Sequence, residues 1–242
     1  MPVSERGKQL RALSHKIAHR VREDGLNGLL RRGLSEANAW RRKFGHAAPQ
    51  DPFDSEYGID TGGVVPLWKL DIDSPYGDEG VRYQTLDPGL LRELIGCLPI
   101  RHEDFVYVDL GSGKGRSLLV ASEYPFRRVI GVEFSRELNE IATRNILRYP
   151  RARRRSGDIS SIRADAADFE FPPDKLVVFL YNPFGAVVLS RVLENLGRSL
   201  REHPREVWII YCNPVLSDLL DESGFLQRID LPIEAAIYKT AY

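Results

Sequence analysis

The chain is poor in sulfur and imidazole. Of 242 residues two are cysteine, Cys97 and Cys212, and five are histidine. The cysteines have no metal-ligand spacing and form no disulfide framework, and their apolar surroundings suit buried thiols. His15 and His19 stand one helical turn apart with no further ligand beside them, so no metal site is expected. No apolar run reaches the roughly 20 residues of a membrane-spanning helix. The opening residues Met1-Pro2-Val3-Ser4-Glu5-Arg6 contain no apolar signal-peptide region. The expectation is a cytoplasmic protein without a membrane span. Net charge is also absent, with 34 Lys and Arg against 34 Asp and Glu. The balance hides an asymmetry: residues 1–50 hold 11 basic and 4 acidic side chains, and the remainder holds 23 and 30.

What is present is a hydrophobic fraction of 43%, enough to bury a substantial core. The length suits one α/β domain with an extension. In residues 7–23, Leu10, Leu13, Ile17 and Val21 recur at helical spacing, and a second helical segment runs from about Leu26 to Phe44. Residues 1–50 therefore read as a basic helical N-terminal extension. Its apolar stripe suits packing, and its charge suits an anionic partner such as nucleic acid. Residues 51–80 are rich in Pro, Gly and Asp and read as an ordered loop or lid segment. Asp71 and Asp73 within it suit turn caps. Residues 81–242 form the main domain. Its strand signals fall near 105–110, 128–133, 160–164, 176–181, 206–212, 224–230 and 235–240. Helical signals fall near 88–97, 115–124, 135–148, 186–202 and 214–222. Alternating strands and helices with continuously apolar strands predict a mostly parallel sheet covered on both faces. The short link at 231–234 predicts an antiparallel hairpin at its end.

The sharpest signal is Asp109-Leu110-Gly111-Ser112-Gly113-Lys114-Gly115, directly after the apolar run Phe105–Val108 and before a helical pattern. Glycines at alternate positions let a backbone approach a ligand closely, and the helix start offers N–H groups. A P-loop is excluded, because Val108 stands where its first glycine belongs and Gly115 where its Ser or Thr belongs. A dinucleotide fingerprint is disfavoured, because the third glycine arrives one residue early. The pattern D-x-G-x-G-x-G fits at every position. It resembles the first motif of class I S-adenosylmethionine (SAM) dependent methyltransferases. Three further strand ends extend the resemblance over about residues 80–242. They are Glu133, Asp165-Ala166 and Tyr181-Asn182-Pro183-Phe184.

The resemblance implies a Rossmann-like class I methyltransferase fold: a mostly parallel seven-stranded sheet with a final antiparallel strand. It implies SAM as cofactor. Asp109, Gly111, Ser112 and Gly113 would lie beside its methionine part, with Tyr83 and Gln84 as candidates for the methionine tail. Glu133 would accept from the ribose hydroxyls, and Asp165 with the Ala166 N–H would meet adenine. Asn182 and the Pro183 carbonyl would orient an amine, with Phe184 and Tyr181 as the wall. The amino-methylating branch usually has Asn-Pro-Pro before its aromatic residue; this chain is one proline short. A protein side-chain amine is the favoured acceptor, followed by a nucleic-acid amino group and then a small molecule. A noncatalytic SAM-binding protein and an NAD-dependent oxidoreductase are the alternatives from other classes. The run Arg151-Ala152-Arg153-Arg154-Arg155 suits a solvated loop or a phosphate contact. Asn213-Pro214 repeats the Asn-Pro pair one strand later; its backbone reads as a border of the substrate side, with no catalytic role expected.

Overall fold

The computed structural model describes residues 51–66, 70, 75, 80, 83–231, 233 and 235–241. The expected N-terminal helical arm lies outside the described residues, as do Asp71 and Asp73. Among the described residues no helix is long and apolar enough to cross a membrane.

Residues 51–80, expected as loop, open with a helix, α1 (Pro52–Tyr57). The Asp51 carboxylate accepts from the N–H groups of Phe53 and Asp54, Pro52 stands in the first turn, and Gly58 ends the helix at φ 63. A capping acid, a proline needing no donor and a left-handed glycine thus specify one short helix. The two-residue strands β1 (Val64–Val65) and β2 (Tyr83–Gln84) then pair antiparallel.

The main sheet holds β3 (Phe105–Leu110), β4 (Arg128–Glu133), β5 (Ile159–Arg163), β6 (Lys175–Tyr181), β7 (Val207–Cys212), β8 (Leu226–Ile229) and β9 (Ala236–Thr240). Their order across the sheet is β5-β4-β3-β6-β7-β9-β8. Neighbours from β5 to β7 run parallel, and β9 is antiparallel to both β7 and β8. The expected seven-stranded, mostly parallel sheet with a final antiparallel strand is observed. The helices are α2 (Pro88–Gly96), α3 (Arg116–Ala121), α4 (Arg136–Arg148), α5 (Ala186–Glu202) and α6 (Ser217–Asp221).

Two apolar layers cover the sheet, one per face. On β3, Val106, Val108 and Leu110 enter one layer while Phe105 and Tyr107 enter the other, as strand alternation requires. These five side chains are 0–2% exposed, and burying each contributes about 2 kcal/mol. The chain leaves β3 toward β4 and β5, then returns to the opposite side of β3 as β6. That reversal opens a crevice beyond the carboxyl ends of β3 and β6, where ligands of open α/β sheets bind.

Candidate functional site

The glycine turn crosses this crevice. Gly111, Gly113 and Gly115 all have positive φ, at 84, 55 and 86°. The turn is tied to the end of β4: Gly111 and Ser112 donate to the Val132 carbonyl at 2.9 and 3.1 Å, and Gly113 donates to Glu133 Oε2 at 2.8 Å. Two of the glycines have no room for a side chain. A Cβ on Gly111 would collide with the Pro183 ring, and one on Gly113 with the Tyr83 ring. Strand ends far apart in sequence therefore meet on bare backbone.

Two carboxylates are buried beside the turn. Asp109 accepts from the Ser117 hydroxyl, and Glu133 accepts from the N–H groups of Gly113 and Ser135, the latter at 2.8 Å. Burial pushes both upward. Asp109 reaches about 7, opposed by the Ser117 bond and reinforced by the charge of Glu133. Glu133 also reaches about 7, opposed by the N–H groups of Ser135, Gly113 and Phe134. Neither forms an ion pair among the described residues. Desolvated carboxylates without a counter-ion favour a cationic ligand.

The site consists of two adjoining cavities. The larger encloses about 110 Å³ and opens to solvent. Asp109, Gly111, Ser112, Gly113, Glu133, Tyr83, Gln84, Tyr181, Asn182 and Pro183 all line it. Ser112 Oγ is buried there with no hydrogen-bond partner among the described residues. The smaller, of about 30 Å³, is lined mostly by apolar groups, with Asp165, Ala166 and Phe184 among them. Gly111, Phe134 and Pro183 border both. Asp165 accepts from the Ala167 N–H at 2.9 Å and so caps a short turn.

The residues read from the sequence thus divide into two groups. Phe184, expected beside Tyr181, is placed apart from it. Its ring is 7% exposed, packs into the core layer and faces the smaller cavity, because the residue after Pro183 already turns toward α5. Tyr181 keeps the larger cavity, where its hydroxyl accepts from Gln84 Nε2 at 3.1 Å. Asn182 adopts φ 42, and its Oδ1 accepts from the Tyr211 hydroxyl at 3.4 Å.

A strap formed by residues 51–63 is fastened to the glycine turn. Arg116, the first residue of α3, reaches Asp51 at 2.5 Å and Asp54 at 3.4 Å, and donates to Thr61 Oγ1 at 2.7 Å. Lys114 Nζ lies 2.6 Å from Asp60 and donates to the Gly62 carbonyl at 3.0 Å. The Asn145 side chain donates to the carbonyls of Asp60 and Lys114. Tyr83 closes the arrangement, its hydroxyl donating to the Thr61 carbonyl at 2.6 Å. The two variable positions inside the glycine pattern and the residue after it therefore do different work: Ser112 lines the cavity, Lys114 holds the strap, and Arg116 does both.

Sequence reasoning missed Phe134, Tyr211 and the strap contacts. Phe134 had a signal, standing directly after the strand-end carboxylate. The strap had none, because Asp51, Asp54 and Thr61 lie more than 50 residues from Arg116.

No protein-family model matches the sequence, and no curated protein matches it significantly. Many solved structures are similar in fold, SAM-dependent methyltransferases among them. One is a putative SAM-dependent methyltransferase from Methanococcus maripaludis, 16% identical over 63% of this chain and 83% of that one, with TM-score 0.46. An RNA methyltransferase from Salinibacter ruber, solved with S-adenosyl-L-homocysteine, is 18% identical over 65% and 92%, with TM-score 0.41. A predicted N6-adenine-specific DNA methylase from Listeria monocytogenes is 14% identical over 64% and 51%, with TM-score 0.47. At such identities the likeness is one of fold alone.

Proposed function

We propose that this chain is a SAM-dependent methyltransferase that transfers a methyl group to an amine nitrogen, a protein side-chain amine being the favoured acceptor. The observation that carries this reading is the pairing of two cavities across the Gly111–Pro183 contact, with uncompensated buried carboxylates in the larger one. SAM is a cation at its sulfonium and its ammonium, attached to a polar ribose and a flat adenine. The larger cavity suits the charged part, and the smaller one suits the base.

When bound, SAM supplies a methyl group on a positive sulfur. The protein's share is orientation and exclusion of water. Glu133 would keep its backbone N–H bonds and accept from the ribose hydroxyls as well, since carboxylate oxygens each accept more than one bond. Ser112 Oγ gains the partner that it lacks. Asp165 and the Ala166 N–H take the adenine edge, with Phe134 and Phe184 beside the ring. Tyr83 and the strap cover the methionine end. Asn182 Oδ1 and the Pro183 carbonyl accept from the acceptor's N–H groups and aim its lone pair, with Tyr181 as the wall.

Calorimetric titration of SAM and S-adenosylhomocysteine into the wild type and Glu133→Ala tests the reading. Binding to the wild type with a loss on the order of 1–3 kcal/mol in the variant is expected. Saturable binding of NAD in place of SAM would sink it. Incubation with labelled SAM and separated protein and RNA fractions then identifies the acceptor class. Label confined to RNA would replace the protein acceptor by the nucleic-acid alternative.

A further inference from the structure

β6 and β7 end alike. β6 runs into Asn182-Pro183 and β7 into Asn213-Pro214. Tyr181 is the register partner of Cys212, so the two asparagines follow side by side on neighbouring parallel strands. Both are left-handed, at φ 42 and 48°, and among the described residues no other non-glycine residue is. Both line the larger cavity. Backbone strain of this kind is concentrated at ligand-handling sites, and asparagine is among the residues that tolerate it best. A pair of strained asparagines at one level of one cavity is more than two unrelated turns require.

Their side chains are held differently. The Leu216 N–H donates to the Tyr211 hydroxyl at 3.3 Å, and that hydroxyl donates to Asn182 Oδ1. The phenol has one proton, so this chain fixes which atom of the Asn182 carboxamide faces Tyr211. Oδ1 keeps a second lone pair for the cavity. Asn213 is exposed at the mouth, and its side chain has no hydrogen bond among the described residues. The uncharged Gln84, Thr85 and Tyr181 line the same cavity, as do Asp109, Glu133 and Arg116.

We propose that Asn213 is a second acceptor-positioning residue: its carboxamide takes, in place of the Pro183 carbonyl, the second hydrogen of a primary –NH2 group whose first hydrogen Asn182 holds. The proposal rests on the methyltransferase reading above. Two carbonyl oxygens on one side of a nitrogen engage both N–H bonds and leave the lone pair pointing away. A hydroxyl or thiol, with a single hydrogen, fills only half of the clamp. A nitrogen with a free lone pair is one that enters uncharged.

The test uses two ligands: S-adenosylhomocysteine, and the SAM analogue that carries an amino group where SAM carries its methyl. The amino group occupies the edge of the acceptor position, so the ratio of the two affinities reports what faces it. Wild type is expected to prefer the amino analogue by at least about tenfold, and Asn213→Gly to lose about tenfold of that preference while binding S-adenosylhomocysteine as before. Glycine is chosen because it adopts φ near 48° without strain. Asn213→Asp, which keeps the oxygens and adds a charge, retains or raises the preference. An unchanged preference in Asn213→Gly, an equal loss for both ligands, or no preference in the wild type overturns the clamp. If neither ligand binds the wild type, the methyltransferase reading itself falls.

Discussion

Gly111 lies against Pro183, so closely that a Cβ at position 111 would collide with the proline ring. The glycine turn after β3 and the Asn-Pro corner after β6 are thereby one structure, 72 residues apart in sequence. Gly111→Ala must move Pro183 and adopt φ 84 with a side chain. Overpacking and left-handed strain together destabilise by about 2–4 kcal/mol. Gly224→Ala is the control. It has φ 76 but open space around it, so only strain of about 1 kcal/mol is expected. Urea denaturation of both variants checks the difference, and S-adenosylhomocysteine titration should show a loss in Gly111→Ala alone.

Burial raises Asp109 and Glu133 to about 7 from ordinary values of 3.8 and 4.5. Between those limits the folded protein holds more protons than the unfolded chain. Their contribution to stability is therefore complete below about pH 4 and is lost as the pH rises through 7, with a slope approaching about 1.4 kcal/mol per pH unit for each group. Denaturation midpoints at pH 5, 6, 7 and 8 should fall less steeply in Glu133→Gln than in wild type. A cationic ligand reverses the preference by favouring the ionised carboxylates. SAM should consequently bind more tightly at pH 8 than at pH 6, and binding near pH 6.5 should release protons. Equal heats in buffers of different ionisation enthalpy would contradict this.

The sheet was legible in the sequence because its central strands are buried on both faces. Runs such as Phe105–Val108 and Leu176–Leu180 have no polar interruption, and the observed strands begin and end within about two residues of the expected ones. Most candidate site residues were legible because they stand at or just beyond the ends of parallel strands, which chain topology brings to one side of the sheet. The placement of Phe184 was not, since one residue decides whether a ring faces the core or the mouth. Nor was the strap. Its turn chemistry is written in Asp51-Pro52 and Gly58, but its attachment depends on Arg116 and Lys114, which carry no local mark of their partners.

Arg116 is nearly enclosed, with 6% of its side chain exposed, and it faces Asp51 and Asp54. Arg116→Met removes the charge and leaves two acids facing apolar surface. Loss of one partner of such a pair costs about 3 kcal/mol. The strap should then release before the sheet unfolds, since Arg116 is what holds Asp51, Asp54 and Thr61. Limited proteolysis between residues 51 and 63, accelerated at least tenfold in Arg116→Met with the seven-stranded sheet still protected, is the expected outcome. Uniform protection in the variant would show that the Asn145 bonds to Asp60 and Lys114 suffice.

Asp165 tests the assignment of the smaller cavity to a base. One of its oxygens accepts from the Ala167 N–H, and asparagine caps such a turn nearly as well as aspartate, so Asp165→Asn should leave the melting temperature within about 2 °C. The second oxygen is a different matter. Against an adenine amino group it accepts, whereas the amide nitrogen of asparagine donates and finds no acceptor there. S-adenosylhomocysteine should bind the variant about tenfold more weakly or worse. The inosine analogue, which presents a carbonyl at the same place, should reverse the order and bind Asp165→Asn better than wild type. A site that held the base by stacking alone, on Phe134 and Phe184, would show neither effect. The reversal is therefore the more informative half of the experiment, since a general loss of fit weakens both ligands and cannot exchange their ranking.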